Sequence, residues 1–331
     1  VVSPPDESER ATGVVETPSD ELSGLVDAPK SVLSQFRLRR FAGPSAHVGA
    51  LHHLRIAHLT DLHVGRVTPM NVQETAVALT NATQPDLVVV TGDFVCHSQL
   101  YLDQLSWIIS RLEAPVMGVL GNHDYWAGAD EVRWALRRGG AEILSNQSTV
   151  ITIRGQRLQV LGLDDAYTGH ASRQDALRGL QQNLPTLGLS HIAEEADALW
   201  HAGVPLVLSG HTHAGQVTLA RLHEIAIGRL AGHKYVHGLY GARRNEGTHA
   251  GAVYVGAGIG ASVMPLRMGE RGRREVALFE LGHEPGSFNE PLPEQAPGKG
   301  RPPSAKKSYA RAAAVVAKEQ KRRRRKRKTG A

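Results

Sequence analysis

The 331-residue sequence has one cysteine, 5% aromatic residues and no apolar run of 18 residues or more. A single thiol, Cys96, excludes an internal disulfide and a metal cage built from thiolates. The absence of a long apolar run excludes a helix able to span a bilayer. No succession of charged, apolar and small residues marks a leader near the start. Arg39-Arg40 lacks the apolar stretch that a twin-arginine signal needs. The expected location is therefore cytoplasmic or peripheral to a membrane, with an upstream segment before Val1 left open. Cys96 follows Asp93 by three residues, a position open to a ligand or nucleophile, but a lone cysteine in an apolar setting is expected to be packing.

What is present is an ordinary globular composition, 41% hydrophobic and 21% charged. The net charge of +6 misleads, because 13 of the 38 Lys and Arg and one of the 32 acidic residues lie in 301–331. That tail carries +12 and the preceding 300 residues carry −6, so the pI near 9.5 does not describe the folded surface. Residues 1–30, rich in Pro, Ser, Asp and Glu, are predicted to be disordered. The folded domain is assigned to 31–285, and 286–331 to a Pro/Gly linker followed by a basic disordered tail. The unbroken block Lys321–Lys328 is expected to give at most weak contact with an anionic surface, membrane or nucleic acid. The body offers no matching basic stripe, and no protein partner is inferred.

Between these ends, short apolar runs alternate with amphipathic segments. Strands are predicted around Phe36, at 54–59, 86–91, 115–120, 156–163, 187–190 and 205–208, near 252–255 and at 275–281. Helices are predicted over 72–79, 100–112, 131–138 and 192–201. Continuous apolar strands interleaved with helices imply sheets covered by helices.

The informative feature is where the polar motifs fall. Asp61-x-His63, Gly92-Asp93, Gly121-Asn122-His123-Asp124, His191 and Gly210-His211-x-His213 each follow directly on an apolar strand candidate. In α/β sheets, loops beyond the carboxyl ends of strands converge on one crevice. Gly92, Gly121 and Gly210 suit tight strand exits. Taken singly these residues have plainer roles. Asp61 and Asp93 would serve as helix N-caps, and His63 or His191 as buried hydrogen-bonded histidines. His58, within a strand, is read as packing. His52, His53, His233 and His237 are weighed as flanking a substrate, and Asp164-Asp165 as lining the cleft or closing a turn. All five motifs together point instead to metal binding. Carboxylate, amide oxygen and imidazole suit Mn²⁺, Fe²⁺ or Zn²⁺. Seven ligands exceed one tetrahedral zinc but fit two ions sharing a carboxylate, an arrangement suited to phosphoryl transfer.

The ordered set D-x-H, G-D, G-N-H-D, H and G-H-x-H resembles the calcineurin-like metallophosphoesterases. The runs GNHDYW, LSH and SGHTHAGQ, with GIGASVMPLR at 258–267, are similar to a bacterial branch of small phosphodiesterases, although Ala214 stands where that branch often has Gly. The resemblance extends over about 54–281. It implies a four-layer αββα sandwich, two mixed sheets flanked by helices. It assigns one divalent ion to Asp61, His63, Asp93 and His213, and a second to Asp93, Asn122, His191 and His211, with Asp93 as the bridge. It implies attack by a hydroxide bridging the two metals on a phosphodiester, phosphomonoester or pyrophosphate, with His123 protonating the leaving oxygen and Asp124 holding the His123 ring. Two alternatives from other classes stand beside it: a metal-binding scaffold with negligible turnover, and a nuclease that uses the basic tail to hold DNA.

Overall fold

A computed structural model describes residues 19–213, 232–244, 251–261, 272–288, 290 and 294–298. The described residues form two six-stranded sheets. The first takes β1 (Phe36–Ala42), β2 (Leu54–Leu59), β3 (Leu87–Thr91), β4 (Val116–Val119), β5 (Ala141–Ile143) and, from far along the chain, β12 (Arg274–Leu281). Their order is β1-β12-β2-β3-β4-β5. The second holds β6 (Gln147–Ile153), β7 (Gln156–Leu163), β8 (Thr186–Ser190), β9 (Leu206–Ser209), β10 (Gly238–Gly241) and β11 (Ala252–Val255), in the order β10-β11-β9-β8-β7-β6. Each sheet is mixed: β2, β3, β4 and β5 run parallel beside an antiparallel β12, and β7, β8, β9 and β11 run parallel between antiparallel β6 and β10.

Side-chain alternation decides how the layers stack. Along β3, Leu87 and Val89 join the core between the sheets, while Val88 and Val90 join the outer core of the first sheet. That inner core takes Leu187 and Leu189 from β8 and Leu206 and Leu208 from β9, with Phe41, Tyr254 and Phe279 in ring contact at its centre. A strand buried on both faces must be apolar throughout, so DLVVVT reads as an unbroken run. The helices α1 (Ser19–Leu25), α2 (Lys30–Leu33), α3 (Met70–Ala82), α4 (Leu102–Ser110), α5 (Asn122–Ala127) and α6 (Ala129–Arg138) lie in the first half. Core residues of α2, α3, α4 and α6 pack with the outer face of the first sheet. In the second half α7 (Arg173–Leu177) and α8 (Ala196–His201) pack with Leu161, Leu163, Val207 and Val253 of the second. The order is helices, sheet, sheet, helices, which is the four-layer sandwich.

The domain edges differ from the sequence expectation. Residues 19–30 were expected to be disordered, yet they include α1, and Leu22 is fully buried in the outer core with Val26 packed against it. One short apolar stripe is enough to dock a helix that has no length of its own to advertise. At the other end the expected boundary at 285 falls too early. Arg243 is almost fully buried and forms ion pairs with Glu290 and Glu294, while Gln295 N–H donates to the Leu239 carbonyl and the Gln295 carbonyl accepts from Gly241 N–H. The Pro/Gly-rich stretch thus straps the β10 edge as far as the described residues extend. Residues 1–18 and the block Lys321–Lys328 lie outside the described residues.

A buried histidine gives the fold a pH dependence. His47 is fully buried with Nε2 3.1 Å from the Thr186 carbonyl oxygen, and burial lowers its pKa to about 4. The unfolded chain protonates near 6.5, so between pH 6.5 and 4 only the unfolded state takes up this proton. The resulting stabilisation is full above 6.5, falls as pH drops towards 4, and amounts to on the order of 3 kcal/mol for a shift of this size. The urea midpoint is expected to fall across that window. In His47→Gln the fall should be smaller; an unchanged slope would assign the pH dependence elsewhere.

Candidate metal centre

All five predicted motifs lie at strand exits on one rim. β2 delivers Asp61 and His63, β3 delivers Asp93, β4 delivers Asn122 and His123, β8 delivers His191, and β9 delivers His211 and His213. Because β2, β3 and β4 are parallel neighbours in one sheet and β8 and β9 in the other, their carboxyl ends face each other across the inner core. The backbone pays for this convergence in strain: Asp61, His63, Asp93, His211 and His213 all have φ between 43° and 76°. Left-handed conformations are uncommon for residues other than Gly, and five of them converge at this rim.

Glycines make room for the ligands. A Cβ on Gly121 would lie 2.3 Å from Asp93 Oδ1, and one on Gly210 would lie 1.9 Å from Thr60 Oγ1 and 2.5 Å from Asp61 Oδ2. Gly260 has the same task, since its Cβ would meet the Leu62 carbonyl oxygen at 2.1 Å. Gly121 and Gly210 are therefore needed for close approach to the carboxylates, while Gly92, at φ 86°, leaves room for His191 Nδ1, which a Cβ would meet at 2.6 Å.

Two groups of donor atoms meet at Asp93. Asp61, His63, Asp93 and His213 are all buried, with one ligand atom from each within 4.8 Å of the rest. His63 Nε2 stands 2.9 Å from His213 Nε2 and 3.6 Å from Asp93 Oδ2, and His213 Nε2 stands 3.3 Å from Asp61 Oδ1. On the other side His191 Nε2 lies 3.5 Å from the same Asp93 Oδ2 and 3.3 Å from His211 Nδ1. Ligands about 2.0–2.2 Å from a shared ion sit roughly 3–4 Å from one another, so this spacing is that of coordination shells. Asp93 Oδ2 borders both groups.

Hydrogen bonding aims the ligands. His191 Nδ1 donates to the Thr91 carbonyl at 2.8 Å, which leaves Nε2 of the neutral ring as a lone pair pointed at a carboxylate and another imidazole. Asn122 Oδ1 is buried without a hydrogen-bond partner among the described residues. Two electron-rich groups facing carboxylates, and an orphaned amide oxygen beside them, are satisfied by cations. Asp61 takes N–H from His211 and O–H from Thr60, and Asp93 Oδ1 takes N–H from His123 at 2.9 Å.

Without a cation, protons take over part of that role. Burial and the charge of Asp93 raise Asp61 to about 7, against the pull of His191. Burial would likewise raise Asp93, but His191, His63 and His123 hold it well below the ordinary carboxylate range. Burial would lower His191, yet Asp93, Asp61 and Asp165 lift it to about 10. Burial and the neighbouring His191 and His233 keep His211 well below its ordinary value, hence neutral. A cation held by His191 Nε2 would have to displace this proton, which would tie its affinity to pH.

His123 sits outside both groups, with Nε2 3.9 Å from Asp93 Oδ2 and Nδ1 bonded to the Cys96 carbonyl at 2.7 Å. The expected grip of Asp124 on this ring does not occur. Asp124 is the third residue of α5, and its carboxylate instead accepts from Gly121 N–H at 2.9 Å and Val95 N–H at 3.1 Å. A carboxylate at that position reaches back naturally to the free N–H groups at the helix start. Asp124 therefore anchors the loop that carries His123, and a main-chain carbonyl sets the ring. Cys96 Sγ is 3.6 Å from the His63 and Ala261 carbonyl oxygens, and burial with Asp93 and Asp124 raises its pKa to about 11, so it stays a packed thiol.

The other weighed residues separate clearly. His58 is buried against Thr91 Oγ1 and the Tyr254 ring. His53 pairs with His283 beyond the amino end of β2, a strand's length from the rim. His237 turns to Glu275 at 3.2 Å, whereas the His233 ring lies 5.3 Å from that of His211 and does flank the site. Asp164 is committed to Arg133, and Asp165 accepts from Thr168. Ala214 and 262–267 lie outside the described residues. Sequence reasoning missed the rings bordering the site, Trp126, Tyr167 and His97; only Trp126, inside the GNHDYW run, carried any signal.

Comparison with known proteins agrees with this geometry. The model of the family described as calcineurin-like phosphoesterase matches residues 54–215. Phosphodiesterase YaeI of Escherichia coli K12 is 30% identical over 235 residues, covering 69% of this chain and 82% of that protein. The uncharacterized metallophosphoesterase YkuE of Bacillus subtilis 168 is 28% identical, covering 69% and 78%. A transmembrane protein with metallophosphoesterase domain from Bos taurus is 28% identical, covering 67% of this chain and 52% of its own. No helix among the described residues is long and apolar enough to cross a membrane. With a family model seated on every ligand-bearing motif and a relative matched over four-fifths of its length, the chain belongs to the calcineurin-like phosphoesterase family.

Proposed function

We propose that this chain hydrolyses phosphodiesters, with two divalent ions held on either side of Asp93 and His123 acting on the leaving group. The observation that carries the reading is the position of Asp93 Oδ2, within 3.5–3.9 Å of His63, His191 and His123 Nε2 together. Asp61, His63 and His213 complete one ion's ligands, and Asn122, His191 and His211 the other's. When bound, such ions neutralise phosphoryl oxygens and lower the pKa of coordinated water. The oxygen and nitrogen set fits Mn²⁺, Fe²⁺ or Zn²⁺.

The chain's own contribution is orientation and one proton. The Cys96 carbonyl fixes Nδ1–H, so Nε2 of His123 is the atom turned to the site. Protonated there, the imidazolium faces the phosphate and passes its proton to the departing oxygen. An alkoxide leaving group needs that proton more than a phenolate does, which suits the site to alkyl esters of phosphate. The similarity to a protein named phosphodiesterase supports the choice of a diester. Among mutually exclusive outcomes, Mn²⁺-supplemented assays decide: bis(p-nitrophenyl) phosphate should be turned over faster than p-nitrophenyl phosphate, with chelation abolishing both. Metal retention without turnover of either ester would support the scaffold, and preferred cleavage of single-stranded DNA the nuclease.

A further inference from the structure

The chain that follows Asp93 reaches the His123 ring twice. The Cys96 carbonyl oxygen lies 2.7 Å from Nδ1, and the next residue, His97, lays its own ring parallel to that of His123, with centroids 4.3 Å and planes 13° apart. On another side His63 meets the His123 ring nearly at right angles, 4.7 Å away at 81°. These contacts matter because the outer torsion of a histidine side chain has only a broad preference, so the ring plane is set by what surrounds it. One hydrogen bond at Nδ1 fixes one atom and leaves the ring free to rock about the line from Nδ1 to the oxygen. A parallel ring in stacking contact blocks that motion. His97 serves no other contact of note. It is exposed, its ring nitrogens take part in no hydrogen bond among the described residues, and its other ring contact there is Trp126 at 5.6 Å. The backbone around it is held without it: Val95 N–H donates to Asp124, Ser98 caps the turn Gln99–Tyr101, and Gln99 Nε2 donates to the Ala127 carbonyl.

We infer that His97 is a positioning residue for the proton-transfer step, its ring holding the plane of His123 so that Nε2 stays aimed at the leaving oxygen. The inference rests on the reading of His123 as the proton donor. His97 itself passes no proton to it. The lone pairs and N–H bonds of an imidazole lie in the ring plane, so two parallel rings cannot hydrogen-bond to each other. What the stack supplies is direction. Proton transfer to a departing oxygen needs donor and acceptor at hydrogen-bond distance, and a misplacement of about 1 Å costs on the order of a hundredfold. The hold expected of the Asp124 carboxylate is thus shared between a main-chain carbonyl and a neighbouring ring. Loss of that ring should tell only where the proton is needed.

The test assays His97→Ala, His97→Phe and, as reference, His123→Ala with Mn²⁺ on diphenyl phosphate and bis(p-nitrophenyl) phosphate. Phenolate leaves less readily than p-nitrophenolate and so depends more on the proton. His97→Ala should lose about tenfold to a hundredfold on diphenyl phosphate and distinctly less on bis(p-nitrophenyl) phosphate, with wild-type metal content and melting temperature. His97→Phe, which keeps a flat ring, should recover most of the loss. A second readout is independent of turnover. In magnetic resonance spectra of Zn²⁺-supplemented protein labelled at the histidine nitrogens, the His123 Nδ1–H bonded to Cys96 is assigned by its loss in His123→Ala. It should be visible in wild type and His97→Phe, and lost to exchange with water in His97→Ala. Equal losses on both esters, no rescue by Phe, or an unchanged Nδ1–H signal in His97→Ala overturns the inference. Leaving-group dependence in His123→Ala but not in His97→Ala removes the role of the stack alone, and its absence in both removes the proton donor. Should neither ester be turned over, the proton-donor reading fails and the spectra alone decide whether His97 holds the ring.

Discussion

Asp93→Ala is expected to lose bound metal and activity together. Its carboxylate borders both donor groups, so its removal would deprive each ion of a ligand and leave His63 and His191 without their nearest carboxylate, Asp61 alone remaining among the candidate ligands. His191 then loses the neighbour that most raises its pKa and returns towards neutrality, but a neutral imidazole does not replace a bridging oxygen. Loss of one oriented, charged group at such a centre should reduce turnover of bis(p-nitrophenyl) phosphate by about 10³-fold or more. Elemental analysis of the purified variant should find less than half the metal of wild type. Asp93→Asn, which keeps the shape and the hydrogen bond from His123 N–H while removing the charge, should fall between the two. Full metal content or full activity in Asp93→Ala contradicts the assignment.

His123→Ala should separate what Asp93→Ala joins. The His123 ring supplies no donor atom to either group, and Asp93 keeps the His123 backbone N–H whatever the side chain. Metal content is therefore expected to stay at the wild-type level. Turnover should drop by roughly 10²–10⁴-fold for an alkyl leaving group, the usual range for general acid catalysis. For p-nitrophenolate, which leaves readily as an anion, the drop should be smaller. That dependence on the leaving group is the diagnostic: a uniform loss would mean that His123 only supports the loop, and a loss of metal would make it a ligand. Burial sets His123 below its ordinary pKa while the Asp93 charge opposes the fall. A phosphate anion docked beside it adds to the Asp93 side of that balance.

Much of the fold was readable because its central strands are buried on both faces. β2, β3 and β9 each appear as an apolar run with an abrupt polar exit, and the exit residues are the candidate ligands. β7 and β11 were readable to the residue. Less was visible where burial is partial. β6, QSTVITI, is an edge strand with mostly half-exposed side chains, so its alternation is blurred. β5 has three residues and β10 is GLYG, too short for any period. α5 starts where β4 ends, and a strand exit and a helix start share the residues Gly121-Asn122. The strap through Glu290, Glu294 and Gln295 reads as a linker because its hold lies in buried ion pairs with Arg243, some fifty residues away.

The sequence by itself determined which atoms are available for chemistry and that they stand at strand ends, since hydrophobic periodicity is local and each motif adjoins its own strand. Only the tertiary structure decided which atom faces which. The left-handed backbone at five candidate ligands, the space left by Gly210 and Gly260, and the Cys96 carbonyl that accepts from His123 Nδ1–H in place of Asp124 all depend on how two sheets are set against each other. Contacts between residues tens of positions apart leave no period in a chain, because nothing local has to change for them to form.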